Sequence, residues 1–299
     1  MTRVKTFILS NKSFPEPDEK MESPLKILKR HRIRPVKHLG QSFLVDNNIT
    51  SRIVDASEIC GDDIVVEIGA GLGVMTSMIA ERAKKVVALE IDPKLVNVLS
   101  EELKEISNIE IIHADVLRYD FSSPLGGNGK IKVIGNIPYN VSSQILFRLI
   151  EFRDHISSAT LMFQKEVADR LTAAPGTKEY GILSVIISMY AVLSRIMTVP
   201  SSCFHPKPKV DSGVLKMDMR EGPLYPLEDH DVFLKTVKAA FSKRRKTLAN
   251  NLKDMDAVCS RGMDVSTLLV EAGIDGRRRG ETLTVEEFGR LAGAVFRAT

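Results

Sequence analysis

Tryptophan is absent from this 299-residue chain, aromatic residues make up 6% of it, and cysteine occurs only at Cys60, Cys203 and Cys259. The cysteines are far apart, odd in number and in no C-x-x-C pair, which excludes a disulfide scaffold and a cysteine zinc site and points to a reducing compartment. No run approaches ~18 consecutive apolar residues, so no transmembrane helix is expected. The first residues carry no apolar core ending in a small-residue cleavage site, so no secretory signal is expected either, and a cytoplasmic location follows. The histidines, His113 and His205 among them, show no ligand spacing, so no metal is expected. With 43% hydrophobic and 27% charged residues, the chain is composed like a globular protein with a real core. A mainly disordered or fibrous protein is excluded.

Charge is present in near balance, 42 Lys+Arg against 38 Asp+Glu, but unevenly placed. Basic residues crowd into Lys26–Lys37, Lys243–Lys246 and Arg277–Arg279, and acids dominate Glu101–Glu110. Clustering of this kind fits contact with a phosphate backbone. Solvated helix faces would give the same pattern.

Residues 1–23 read as a polar leader with Pro15 and Pro17 among charges, expected to be disordered. Residues 24–222 read as one domain. A helix pattern runs from about Asp46 to Ser57. From Asp62 short apolar runs alternate with amphipathic stretches: strands over Ile64–Ile68, Lys85–Glu90, Ile109–His113, Ile131–Gly135 and Ala159–Phe163, and helices over Leu72–Arg82, Pro93–Lys104, Ser142–Phe152 and Gln164–Leu171. This alternation predicts an α/β domain with a parallel sheet covered on both faces. Gly181–Leu193 reads as a helix, with closing strands at Arg195–Val199 and Val214–Met219. After Pro223 the β-signals stop, and residues 223–299 read as a small helical domain.

The strongest local feature is Val65-Val66-Glu67-Ile68-Gly69-Ala70-Gly71-Leu72-Gly73, an apolar strand turning through alternating glycines into a helix. Glycine is needed where the backbone takes a positive φ or lies against a ligand. The spacing GxGxG, with Val74 in the next slot, differs from the dinucleotide fingerprint GxGxxG and fits a turn around a nucleoside with a methionine-like tail. A plain structural turn would look the same in isolation. Glu90 closes the second strand, 21 residues after Gly69, where a carboxylate can accept from ribose hydroxyls. Asp115 follows the third strand, where it could reach an adenine amine or merely cap a helix. Gly69, Gly71, Glu90 and Asp115 together read as an S-adenosylmethionine pocket.

The fourth strand ends in Gly135-Asn136-Ile137-Pro138-Tyr139-Asn140. An exocyclic adenine amine is a poor nucleophile because its lone pair is delocalised into the ring. The Asn136 amide oxygen and the Ile137 carbonyl could accept both of its hydrogens and favour a tetrahedral, reactive nitrogen. Pro138 fixes the turn and Tyr139 can stack on the base. Asn136 is no proton acceptor near neutral pH, so the expected contribution is positional and electrostatic.

Gly40-Gln41-Ser42-Phe43-Leu44, Glu67–Gly73, Glu90, Asp115 and Asn136–Tyr139 closely resemble the small-subunit rRNA adenine dimethyltransferases, the kasugamycin-resistance family. Phe204–Ser212, Ala240–Leu248 and Gly273–Leu291 extend the resemblance from about Leu25 to the end. It implies a Rossmann-like methyltransferase domain with a helical C-terminal domain, acting as a monomer on the N6 atoms of two adjacent adenosines near the 3′ end of small-subunit rRNA. It places cofactor contacts on Ser42, Leu44, Gly69, Glu90, Asp115 and Asn136. Ser42 departs from the family's usual Asn or His and can still make one hydrogen bond. Phe204 takes the place of the second aromatic stacking on the target base, opposite Tyr139. The run Lys243, Arg244, Arg245 and Lys246, read as helical with Phe241, Leu248 and Leu252 on its buried side, is placed to grip rRNA phosphates. Two rivals remain: a large-subunit rRNA methyltransferase of the macrolide-resistance class, and a non-catalytic RNA-binding factor on the same fold.

Overall fold

The computed structural model describes residues 23–36, 39–127, 129–255, 258 and 262–298. The expected leader lies outside the described residues apart from Ser23, as do Lys37, His38 and Cys259. The chain divides into two compact units, residues 23–168 with 193–219, and residues 169–192 with 220–298.

The first unit opens with α1 (Pro24–Arg30), the short strand β1 (Phe43–Leu44) and α2 (Asn47–Ala56), which Asp46 caps by accepting from the Asn48 and Ile49 N–H groups. Then strands and helices alternate: β2 (Ile64–Ile68), α3 (Val74–Ala80), β3 (Lys85–Glu90), α4 (Pro93–Glu102), β4 (Ile109–His113), β5 (Ile131–Asn136), α5 (Ser142–Glu151), β6 (Ile156–Gln164) and α6 (Lys165–Leu171). Asp92 caps α4, and Pro93 sits where a missing N–H costs nothing. Val65, Val66, Val86 and Val87 are buried because helices cover both faces of a parallel sheet, which is why these strands read as continuous apolar runs.

β7 (Ala191–Val199), β8 (Phe204–His205) and β9 (Ser212–Met219) complete the strands. The main sheet has the order β4-β3-β2-β5-β6-β9-β7. The strands from β4 to β6 run parallel, and β9 is antiparallel to β6. Chain order reverses at β2, which has β3 on one side and β5 on the other. The carboxyl ends of β2 and β5 therefore flank a topological switch point, where open α/β sheets bind ligands. β1 and β8 pair as a separate two-stranded ribbon.

The second unit is helical: α7 (Ile182–Tyr190), α8 (His230–Ala240), α9 (Leu248–Leu252), α10 (Val265–Ala272) and α11 (Val285–Ala298). Helix α7 falls inside the span read as the first domain, yet it packs on α8 and α11. It is apolar on nearly all faces, so its periodicity names no partner. The expected helix over Gly181–Leu193 stops at Tyr190, and Ala191–Leu193 begin β7.

The basic run is not helical. α8 ends at Ala240, Lys246 N–H closes on the Lys243 carbonyl at 3.0 Å, and Thr247 caps α9. Asn251 Nδ2 donates to the Ala240 and Lys243 carbonyls at 2.7 and 3.2 Å, holding the turn shut. Leu248 and Leu252 are buried as expected, and Phe241 stacks on Phe288. Among the described residues no helix is long and apolar enough to cross a membrane.

Candidate active site

A cleft of about 280 Å³ opens in the first unit at the switch point. Its lining brings together Ser42, Leu44, Gly69, Gly71, Glu90, Asp115, Asn136, Ile137, Pro138 and Tyr139. These come from four strand ends and from the segment before α2, so residues spread over nearly a hundred positions converge on one cavity.

The glycine turn adopts left-handed backbone at Gly69, Gly71 and Gly73, with φ of 72°, 59° and 81°. At Gly71 a Cβ would make only ordinary contact with the Phe43 ring, at 3.5 Å, so the positive φ is what calls for glycine there. The Gly71 N–H donates to Glu90 Oε2 at 2.9 Å, and the N–H groups of Ile91 and Asp92 donate to Oε1 at 2.9 Å each. Burial pushes the Glu90 carboxyl up from its ordinary range, and these backbone donors pull it back. A carboxylate offers about four lone-pair sites, so roughly one stays open to a hydroxyl. Beside it Ile91 is 47% exposed, an apolar face on the cleft.

Asp115 Oδ1 accepts the Leu117 N–H at 2.9 Å and so caps a short turn. Its Oδ2 accepts nothing from the described residues. Capping and ligand binding are thus compatible. Asn136 Nδ2 donates to the Ser42 carbonyl at 3.1 Å, which commits the amide nitrogen and leaves Oδ1 as an acceptor. The Ile137 N–H donates to the Met162 carbonyl, while its own carbonyl accepts no bond among the described residues. Tyr139 is half-buried, its hydroxyl 3.1 Å from Ser212 Oγ. Behind this turn Gly135 lets β5 approach β2, since a Cβ would come within 2.6 Å of the Ile68 carbonyl oxygen.

Two residues to which the sequence pattern assigns no role join the site. Glu67 is 2% exposed at the end of β2, lines the cleft, and its Oε2 has no partner. Burial pushes its carboxyl up to about 8, with nearby Glu90 adding to the rise and the Thr76 hydroxyl opposing it. An acid inside an otherwise apolar strand was the signal available. Gln41 uses both ends of its amide: Oε1 accepts the Val36 N–H and Nε2 donates to Asp92 Oδ2, each at 2.8 Å. This second bond spans 51 positions, and nothing local in the sequence announces it.

Phe204 is 4% exposed, packs with Ile53, Val54, Met162, Val199 and Val214, and is not among the residues that line the cleft in the ligand-free chain. Pairing of β8 with β1 sets Phe204 opposite Leu44, and its ring takes the buried side of that ribbon. The Ser42 hydroxyl donates to the Pro206 carbonyl at 2.9 Å, so its bond to the loop after β8 precedes any to a ligand.

In the second unit, Lys243 pairs with Asp254 at 2.5 Å and Arg244 donates to the Lys178 carbonyl at 3.0 Å. Arg245 and Lys246 are exposed and have no acid partner among the described residues. The other basic cluster is neutralised locally: Arg277 by Asp275, Arg278 by Glu287 and Arg279 by Glu281. Among the described residues no group of three or more His, Cys, Asp or Glu side chains could hold a metal ion.

Residues 32–291 match the family described as ribosomal RNA adenine dimethylase. The chain is 51% identical over 273 residues to Ribosomal RNA small subunit methyltransferase A of Syntrophus aciditrophicus, covering 90% of this chain and 97% of the relative. It is 40% identical to the protein of the same name from Clostridium acetobutylicum, covering 91% and 98%. Among solved structures, a dimethyladenosine transferase from Plasmodium falciparum superposes with a TM-score of 0.71 at 26% identity, over 82% of this chain and 94% of that one. The 23S rRNA methyltransferase ErmE gives 0.64 at 27%, over 85% and 99%. With its sheet order, its glycine turn and its Asn136–Tyr139 turn in one cleft, the chain belongs to the ribosomal RNA adenine dimethylase family.

Proposed function

We infer that this enzyme transfers methyl groups from S-adenosylmethionine to the N6 atoms of two adjacent adenosines near the 3′ end of small-subunit rRNA. The observation that carries the reading is that Asn136, Ile137 and Tyr139 share one cleft with the glycine turn and Glu90. The donor set suits the cofactor. Glu67 offers a buried acceptor without a partner, which an ammonium would satisfy. Glu90 keeps an open site for a ribose hydroxyl, Asp115 Oδ2 is open to an adenine amine, and Leu44 and Ile91 supply apolar walls. When bound, S-adenosylmethionine supplies an electrophilic methyl group on a sulfonium.

The chain's own part is to prepare the nitrogen. Asn136 Oδ1 and the Ile137 carbonyl accept the N6 hydrogens and hold the lone pair out of conjugation with the ring. Tyr139 stacks on the flipped base, and stacking of ~1–3 kcal/mol offsets part of the cost of flipping. Neither oxygen is a base near neutral pH, so the N6 proton leaves to solvent. In the second unit Arg245 and Lys246, with Lys243 and Arg244 beside them, hold rRNA phosphates. The protein acts as a monomer in the cytoplasm, where this RNA is assembled.

Identities of 40–51% to small-subunit methyltransferases, against 27% to the large-subunit ErmE, favour the small-subunit target. The intact Asn136–Tyr139 turn weighs against a non-catalytic factor. Asn136→Ala tests the chemistry. Turnover on under-methylated small subunits should fall by about 10²-fold, as when one preorganised polar group at a reacting centre is removed. Cofactor affinity by calorimetry should stay within a few-fold. Near-normal turnover would remove Asn136 from N6 activation.

A further inference from the structure

The basic N-terminal stretch has no part in the site described so far. Helix α1 is anchored to α4 on its acidic side: Arg30 Nη2 reaches both carboxylate oxygens of Glu102 at 2.7 and 2.6 Å, and His31 Nε2 lies 2.5 Å from Oε1. Beneath it, Ile27 and Leu28 pack with Phe43, Leu72, Leu95 and Val98. Pro24, its first residue, forms part of the cleft wall. The helix therefore sits at the rim of the cleft, and its position is fixed from two sides.

Anchoring consumes only Arg30 and His31. Lys26, Lys29, Arg32 and Arg34 are exposed and have no acid partner among the described residues. Lys26 and Lys29 stand one turn apart, where Cβ atoms are ~5–6 Å from each other. Arg32 has a φ of 51°, in the left-handed region uncommon for a non-glycine residue. The Ile33 N–H closes on the Leu28 carbonyl at 2.9 Å, so the turn bearing Arg32 is tied to the helix, and Arg34 follows it directly. Unpaired cations on a rigid mount beside a cleft raise the local concentration of a polyanion. A membrane surface would require an apolar stripe between the cations. On α1 the one large exposed apolar side chain is Leu25, 48% exposed.

We propose that Lys26, Lys29, Arg32 and Arg34 form a phosphate-gripping surface that holds the RNA backbone flanking the target adenosines at the rim of the cleft. This rests on the reading of the cleft as the site of an RNA base. It adds to that reading a docking surface on the same unit as the chemistry, distinct from the basic turn of the second unit.

The test compares the full chain with its Lys26→Gln/Lys29→Gln/Arg32→Asn/Arg34→Gln variant, in which asparagine tolerates the left-handed backbone. Both are titrated across a salt series with under-methylated small subunits, with large subunits and with anionic vesicles of phosphatidylglycerol. Each phosphate that is no longer neutralised lowers the slope of log affinity against log salt by about 0.7–0.9, so the slope of the variant should be lower by about 3. Its KM for subunits should rise at least tenfold, with kcat at saturation and cofactor affinity unchanged. An unchanged slope in a variant that still binds cofactor overturns the proposal while leaving the catalytic reading intact. Methylation by the wild type of large subunits alone would overturn the target assignment, and the slope difference on that RNA would still decide the patch. Vesicle binding that vanishes in the variant, with equal RNA slopes, would make α1 a membrane contact and overturn the proposal.

Discussion

In the ligand-free folded chain Glu67 carries a proton at neutral pH, because burial pushes its carboxyl up to about 8 from an ordinary value of 4.5, and a bound ammonium would displace that proton. Between those values the folded state binds a proton that the unfolded state has released, so this group's contribution to stability falls as pH rises. The slope is at most about 1.4 kcal/mol per pH unit. Glu67→Gln keeps the shape and removes the titration. Its stability relative to wild type, by urea denaturation, should improve steadily from pH 5 to pH 8; a difference independent of pH would contradict the assignment. Phe204 makes the opposite kind of claim. Buried in the core of the first unit, its truncation to Ala should cost about 3–5 kcal/mol of stability. A Phe204→Ala protein of wild-type stability with slow methylation would return it to the cleft. The two residues also differ in how legible they were. Glu67 had a signal that the sequence reading did not use, a charge in an apolar strand, whereas the ring direction of Phe204 depends on the pairing of two-residue strands with no periodicity of their own.

At the scale of elements, the parallel strands and their helices follow from local pattern alone. Continuous β-branched runs, Asp92 with Pro93 and the glycine turn each fix an element where it is found. The basic run shows where pattern fails. Four consecutive charges give no period, and the Thr247 cap and the Asn251 side chain decide the turn instead. The turn presents Arg245 and Lys246 to solvent. Arg244→Ala/Arg245→Ala/Lys246→Ala should thus leave the melting temperature within about 2 °C, since exposed substitutions usually stay within ±0.5 kcal/mol. It should also flatten the salt dependence of small-subunit binding by about 0.7–0.9 for each phosphate set free. An unchanged slope would make this turn solvated surface.

For the whole molecule, the alternation of strands and helices was enough to foresee a sheet with its ligand site at the carboxyl ends of the strands. It could not assign residues 169–192, because an all-apolar helix such as α7 fits any apolar neighbour. Nor could it foresee the couplings across distance, Gln41 to Asp92 and Asn136 to the Ser42 carbonyl, which tie the segment before α2 to the strand ends. Those bonds are what turn separate motifs into one cleft. The central claim is that this cleft methylates two neighbouring adenosines of small-subunit rRNA at N6. It is tested most directly by incubating the full chain and labelled S-adenosylmethionine with under-methylated small and large subunits, then mapping the modified nucleotides. Four methyl groups on N6 of two adjacent adenosines near the 3′ end of the small-subunit RNA are expected, and label confined to large-subunit RNA, or none at all, would contradict the account.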